Sequence, residues 1–234
     1  MVRITTMTGV VKVPPLTNTQ LDLYRRMFHM MLDGVNMVEH RGAFTRPNTL
    51  VEIDAGFSIR GVPARIVHRG LAYTRTNGRV VSNFYNQISF KYTPNTKRCI
   101  KVFSNGTMHC SGFVSKEEMV QDTLVVYQAM FGEKPVGAVG VDIHMTNAVW
   151  NIPAVDLHHL AARAHEIGLT PAVGSAGGGQ FSRMVFVGKG SVDGGDHQTY
   201  KLVMTHHGSV MYTSKDDALI PEAYRVTQGI SKLL

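Results

Sequence analysis

Two cysteines, Cys99 and Cys110, and one tryptophan, Trp150, are all that this 234-residue chain has of either residue type. The cysteines stand in neither a Cys-x-x-Cys nor a zinc-ligand spacing. A disulfide framework is therefore excluded, and both are expected to stay reduced as small apolar strand residues. No uninterrupted apolar run approaches the ~20 residues of a membrane span, so no membrane partner is expected. The opening residues Met1-Val2-Arg3-Ile4-Thr5-Thr6 lack the basic-then-apolar order of a signal peptide and read as a first strand. An intracellular, reducing setting follows as the expectation. An apolar fraction of 44% argues against disorder, and the length suits two fused half-domains of roughly 100 residues each.

Other absences narrow the chemistry. The stretch Gly174–Gly179 is rich in glycine, but no Gly-Lys-Ser/Thr follows and no helix opens there, so it reads as a loop rather than a phosphate cradle. Among eleven histidines, His158-His159 with His165, and His206-His207, are the candidates for a metal. Adjacent histidines point in different directions, and no carboxylate or cysteine completes a tetrahedral set. Asp142, Asp156, Asp193 and Asp196 form no recognisable catalytic pair. The expectation is a protein without cofactor, metal, small-molecule substrate or enzymatic activity.

Acidic residues are also scarce, and unevenly so. Residues 1–138 hold 17 Lys/Arg against 9 Asp/Glu, whereas residues 139–234 hold 7 against 8. A basic first half suits a polyanionic partner, most often nucleic acid; a solubility surplus is the plainer account.

What the chain does have, it has twice. Ile100 to Glu118 and Leu202 to Asp217 each give an apolar strand, a tight turn on Gly106 or Gly208, a returning strand, and Ser-Lys-acid-acid opening a helix. Upstream, Thr8-Gly9-Val10-Val11-Lys12-Val13-Pro14 parallels Asn147-Ala148-Val149-Trp150-Asn151-Ile152-Pro153. Two copies of strand, helix, hairpin and helix imply a pseudo-twofold molecule. Further strands are predicted over 3–13, 83–92, 97–103, 107–112, 139–152, 181–187, 200–205 and 209–213. Helices are predicted over 21–31, 116–131, 155–167 and 221–234. Residues 36–82 are less legible: 51–54, 57–60 and 64–67 read as short strands studded with arginines and without counterpart in the second half.

Period-two alternation sorts the hairpin faces. Ile100 and Val102 share one face of the 97–103 strand, and Cys99, Lys101 and Phe103 the other. A lysine without a partner does not enter a core, so the Lys101 face is expected to be open, with Phe103 pointing out beside it and Phe84 next to Phe103. Exposed aromatics on a basic sheet can stack on the bases of a single strand, or wedge between the base steps of a duplex.

The run Cys99-Ile100-Lys101-Val102-Phe103-Ser104-Asn105-Gly106-Thr107-Met108-His109-Cys110-Ser111-Gly112, with Ser115-Lys116-Glu117-Glu118 behind it, resembles the TATA-box-binding protein family. That family has at this place an apolar strand ending in Phe, a Ser-Ser-Gly-Lys turn, Met-Val-Cys-Thr-Gly and a Lys-Ser-Glu-Glu helix start. Asn83-Phe84, with Pro94 in the next turn, is similar to the family's Arg-Phe strand and Glu-Pro-Arg stirrup with a two-residue expansion. The likeness is strong over 83–131, moderate over 139–167 and 200–234, and nearly absent over 36–80. It implies an α+β fold of the TBP-like saddle type: a curved antiparallel sheet of two pseudo-symmetric repeats with helices on its convex face. Residues 1–138 would form the first repeat, with an insertion at about 36–80, and residues 139–234 the second. It implies duplex DNA, with an A/T-rich promoter as the expected site, bound through the minor groove and kinked by Phe pairs; the family is the standard example of that mode. General transcription factors or RNA polymerase subunits are the implied protein partners.

Carried over by position, Phe84 and Phe103 would form the first wedge and Phe181 one member of the second. The other member falls on Thr205, which cannot unstack bases as a Phe can. Lys101 and His109 stand where the family has Leu and Val, Ser111 and Thr213 keep the hydroxyl, and Met211 stays apolar. The central Asn pair falls on Thr6 or Thr8 in the first half and on Met145 or Asn147 in the second. Lys91, Lys97 and Arg98 would meet phosphates. Such drift, with an insertion, looks like the divergent TATA-binding-like proteins of large eukaryotic DNA viruses, which would place the chain in a nucleus or viral factory. The alternative is a protein-interaction module on the same scaffold, regulating transcription without touching DNA.

Overall fold

The computed structural model describes residues 1–13, 51–68, 72–74, 80–82, 87–92, 98–103, 107–132, 134–172, 183–192 and 195–232. In chain order the described elements are β1 (Arg3–Lys12), β2 (Val51–Ile59), β3 (Val62–His68), β4 (Ala72–Thr74), β5 (Val80–Ser82), β6 (Gln87–Lys91), β7 (Cys99–Phe103) and β8 (Met108–Phe113). The helix α1 (Lys116–Phe131) and the strand β9 (Gly140–Asn151) come next, then α2 (Leu157–Arg163), β10 (Leu169–Pro171), β11 (Arg183–Gly190), β12 (Gln198–Thr205), β13 (Ser209–Ser214) and α3 (Ile220–Gln228). Antiparallel sheets with helices set apart from them make this an α+β protein. The helix predicted over 21–31 lies outside the described residues. No helix among the described residues is long and apolar enough to cross a membrane.

The chain forms two compact units, one of Thr8–Asp142 and one of Met1–Met7 with Ile143–Leu234. There the Thr5 hydroxyl donates to the Asn147 carbonyl at 3.2 Å.

In the Thr8–Asp142 unit the strand order is β1, β8, β7, β6, β3, β2. Part of the expected insertion is therefore built into the sheet. Residues 51–68 form the hairpin β2–β3, which pairs with β6 through Arg65↔Lys91 and Ile66↔Phe90. The two short strands predicted at 51–54 and 57–60 are one strand, interrupted between Asp54 and Ser58 by a shift in register. The core lies where alternation puts it: Ile100, Val102, Met108 and Cys110 from β7 and β8 are fully buried, beside Met119, Val126 and Met130 of α1. Gly112, at φ +81, breaks the alternation of β8 so that Phe113 also turns inward. Ser115 caps α1, its Oγ accepting from the Glu118 N–H at 3.1 Å.

The helix face of this unit carries a charge cluster. Asp122 of α1 is 1% exposed. It accepts from Arg60 Nε at 2.5 Å and from the Tyr92 hydroxyl, with Arg98 at 3.8 Å. Glu118 receives Arg98 at 2.7 Å and Arg60 at 3.2 Å. Arg60 sits at φ +52 in the β2–β3 turn, a conformation a non-glycine residue adopts only when its surroundings hold it there. Burial and the bond to Asp122 push the Tyr92 phenol well up. This cluster fastens the hairpin to α1.

In the other unit the order is β10, β11, β12, β13, β9 and the start of β1. Trp150, expected as core, is 3% exposed and packs edge-on to Tyr224 at 5.7 Å. Its Nε1–H donates to Thr227 Oγ1 at 2.9 Å, tying β9 to α3. Burial pushes the Tyr200 and Tyr212 phenols up to about 12, so both stay neutral core side chains. The second Ser-Lys-acid-acid sequence opens its helix differently from the first. Asp216 is the cap, accepting from the Ala218 N–H at 2.9 Å, and a single 3-10 turn, Asp217–Leu219, precedes α3. The helix predicted over 155–167 is α2 followed by a 3-10 turn that Gly168 ends.

Candidate nucleic-acid interface

Residues paired across neighbouring strands share a sheet face, so the register assembles each open face without further assumption. In the Thr8–Asp142 unit, Ser89 of β6 is opposite Lys101 of β7, which is opposite His109 of β8. The next row is Arg65, Lys91 and then Cys99 with Ser111 beside it, and the row on the other side pairs Gln87 with Phe103. Lys91, Lys101, Phe103 and Ser111 are half-buried, and His109 and Arg65 are exposed. The Phe103 ring lies 4.9 Å from the His109 ring at 57°, and its backbone N–H closes the hairpin end on the Thr107 carbonyl at 2.9 Å. Burial raises the Cys99 thiol, while the charges of Lys101 and Lys91 pull the other way; the two ammonium groups act on one patch. Thr8 is half-buried on the side of β1 opposite Met7, Gly9 and Val11.

The open face of the other unit is chemically different. Val185, Val203, Met211 and Val149 follow one another across β11, β12, β13 and β9. The valines are half-buried and Met211 is 41% exposed, which makes an apolar row four strands wide. Beside it runs Val187, Lys201, Thr213 and Asn147. The Thr213 hydroxyl donates to Asn147 Oδ1 at 2.7 Å. With its oxygen so engaged, the Asn147 amide offers its N–H donors. Met145, two residues back on the same side of β9, is 37% exposed. Thr6 is half-buried in this unit. Thr205 ends β12 opposite Arg183.

One predicted contact is directed elsewhere. Arg98, expected to meet phosphate, has a side chain 17% exposed and paired with Glu118 and Asp122, and its guanidinium lies over the Phe113 ring at 5.7 Å. Its charge is neutralised on the helix side, so it does not belong to the open face. Phe84, Lys97 and Phe181 lie outside the described residues. Sequence reasoning missed Arg65, Ser89, Arg183 and the valine row. The signal for Arg65 was present: it alternates with Ala64 and Ile66, which are 0% and 5% exposed.

Of the histidines singled out for metal, His206 and His207 lie in the turn between β12 and β13, and His158 and His159 on α2. His158 and His159 are exposed at the start of α2, where Asp156 accepts from their backbone N–H groups at 2.8 and 3.2 Å.

No protein-family model matches the sequence, and no curated protein does. The chain is similar in structure to "Methanococcus jannaschii TBP", at 12% sequence identity over 100% of this chain and 99% of that one, with a TM-score of 0.47.

Proposed function

We propose that the chain is a non-enzymatic, duplex-DNA-binding factor of transcription initiation that enters the minor groove with its open sheet faces and bends the helix. The observation that carries this reading is the composition of one face: Lys101 and His109 in register, Lys91 one row on, and the Phe103 ring against His109 at the strand end. Cations there suit phosphates, an aromatic ring at a strand end suits an opened base step, and the Asn147 amide suits the groove floor. The resemblance of residues 99–118 to the TATA-box-binding proteins supports the same reading. Helices would then recruit general transcription factors or RNA polymerase subunits, in a nucleus or viral factory.

The apolar row Val185–Val203–Met211–Val149 and the Thr at 205 favour a second reading, a protein-interaction module that regulates transcription without DNA. Fluorescence anisotropy with single-stranded, random duplex and A/T-rich duplex probes separates the two. The proposal expects the tightest binding to the A/T-rich duplex, with affinity falling as salt rises. No binding to any probe at low salt, with capture of polymerase subunits intact, would establish the second reading.

A further inference from the structure

In the unit of Met1–Met7 with Ile143–Leu234, a cavity of about 580 Å³ lies among the 3-10 turn after α2, the strands β11 and β12, and α3. It is on the helix side of the sheet. Tyr200, which lines it, alternates with Thr199 and Lys201 and so points away from the open face. Tyr200 is 1% exposed, and its ring lies across Gly188, its partner in register, where a Cβ would fall 2.3 Å from Cζ. Its hydroxyl makes no hydrogen bond among the described residues. A polar group buried this far ordinarily has a partner, and the cavity is where one can reach it. Burial and the charge of Glu222 hold the phenol protonated, with Arg225 opposing, so its oxygen is a neutral acceptor.

The other polar side chains at the cavity are two carboxylates and a guanidinium. Glu166 comes from the 3-10 turn, and Glu222 and Arg225 come from α3. Lys189 also borders it, but alternation directs that side chain to the open face. Arg163 holds Glu166 at 2.8 and 3.0 Å, and Arg225 holds Glu222 at 3.0 and 2.7 Å. Each guanidinium uses two of the roughly four acceptor positions on its carboxylate, and pairs this exposed are weak. Ile167 follows Glu166, and Val226 lies one turn beyond Glu222, adding apolar wall beside each carboxylate.

We infer that this cavity binds a linear aliphatic diamine or polyamine. One ammonium group donates to the Tyr200 oxygen and to Glu222, the methylenes lie on Val226 and Ile167, and a second ammonium meets Glu166. Alkyl amines are protonated at neutral pH, and a cation leaves water only where acceptors receive it. Carboxylates on two separate elements favour two charges on one chain over a single amine. The site is independent of the duplex-binding reading, and its test uses no DNA.

The test is isothermal titration calorimetry of the full chain at low salt, with 1,4-diaminobutane and spermidine. Both are expected to bind, and 1,4-diaminobutane about tenfold or more tighter than butylamine or 1,4-butanediol. Tyr200→Phe should keep the ligand-free unfolding temperature near that of wild type and weaken diamine binding about tenfold. Glu222→Gln should weaken it similarly, whereas Glu117→Gln on α1 should leave it unchanged. Undiminished binding by both Tyr200→Phe and Glu222→Gln, or equal binding of 1,4-butanediol, overturns the inference. So does the absence of binding by either amine. Binding of Nα-acetyl-lysine amide in place of the amines overturns it too, and would assign the cavity to a side chain of a protein partner.

Discussion

Replacing Asp122 by Ala is expected to lower the unfolding free energy by about 3–5 kcal/mol. It should be read as a fall in the urea midpoint with little change in the denaturant slope. The carboxylate is 1% exposed and faces two guanidinium groups and a phenol. Removing it leaves Arg60 and Arg98 with Glu118 as their carboxylate among the described residues, and leaves Arg60 at a positive φ without its closest carboxylate. The double change Asp122→Ala/Arg60→Ala should lose less than the two single changes added together, because the second removes a charge that the first had stranded. Tyr92→Phe, which deletes one neutral donor, should cost only about 1–2 kcal/mol. A drop below about 1 kcal/mol for Asp122→Ala would mean that the cluster behaves as an exposed surface network.

The second large effect concerns binding. Lys91→Gln/Lys101→Gln is expected to reduce the slope of log affinity against log salt by about 1.8, at roughly 0.9 for each phosphate that is no longer neutralised. Both lysines belong to the open face of one unit, in adjacent rows around Cys99. Arg98→Gln, by contrast, should leave that slope unchanged, because its charge is already met by Glu118 and Asp122. Anisotropy titrations at four or five salt concentrations give both slopes. An equal fall in slope for the two variants would remove the distinction drawn between the faces.

The parts of this molecule that could be read from the chain are those where burial on one side imposes a period. Ile100 and Val102 against Lys101 and Phe103 is such a case, and the observed burial follows it. The ends of α1, predicted over 116–131 behind a Ser-Lys-acid-acid opening, were legible because local hydrogen bonding decides them. What escaped was decided by distant partners. Nothing local to Arg98 marks it as the partner of a glutamate twenty residues on. The register shift in β2 hid one strand as two, and β10, at three residues, is too short to show any period. The valines of the apolar row are residues a core would also accept, so their type gave no clue to which side they face. Only the pairing of β11, β12, β13 and β9 lines them up.

The central claim is that DNA lies against the open sheet face and away from the helices. A photoreactive phenylalanine analogue placed at Phe103, and separately at Gln128 on the exposed side of α1, tests this directly when each chain is irradiated with an A/T-rich duplex. Cross-linking from position 103 to minor-groove atoms, with none from position 128, is the predicted result. Cross-linking from position 128 and silence from position 103 would contradict it.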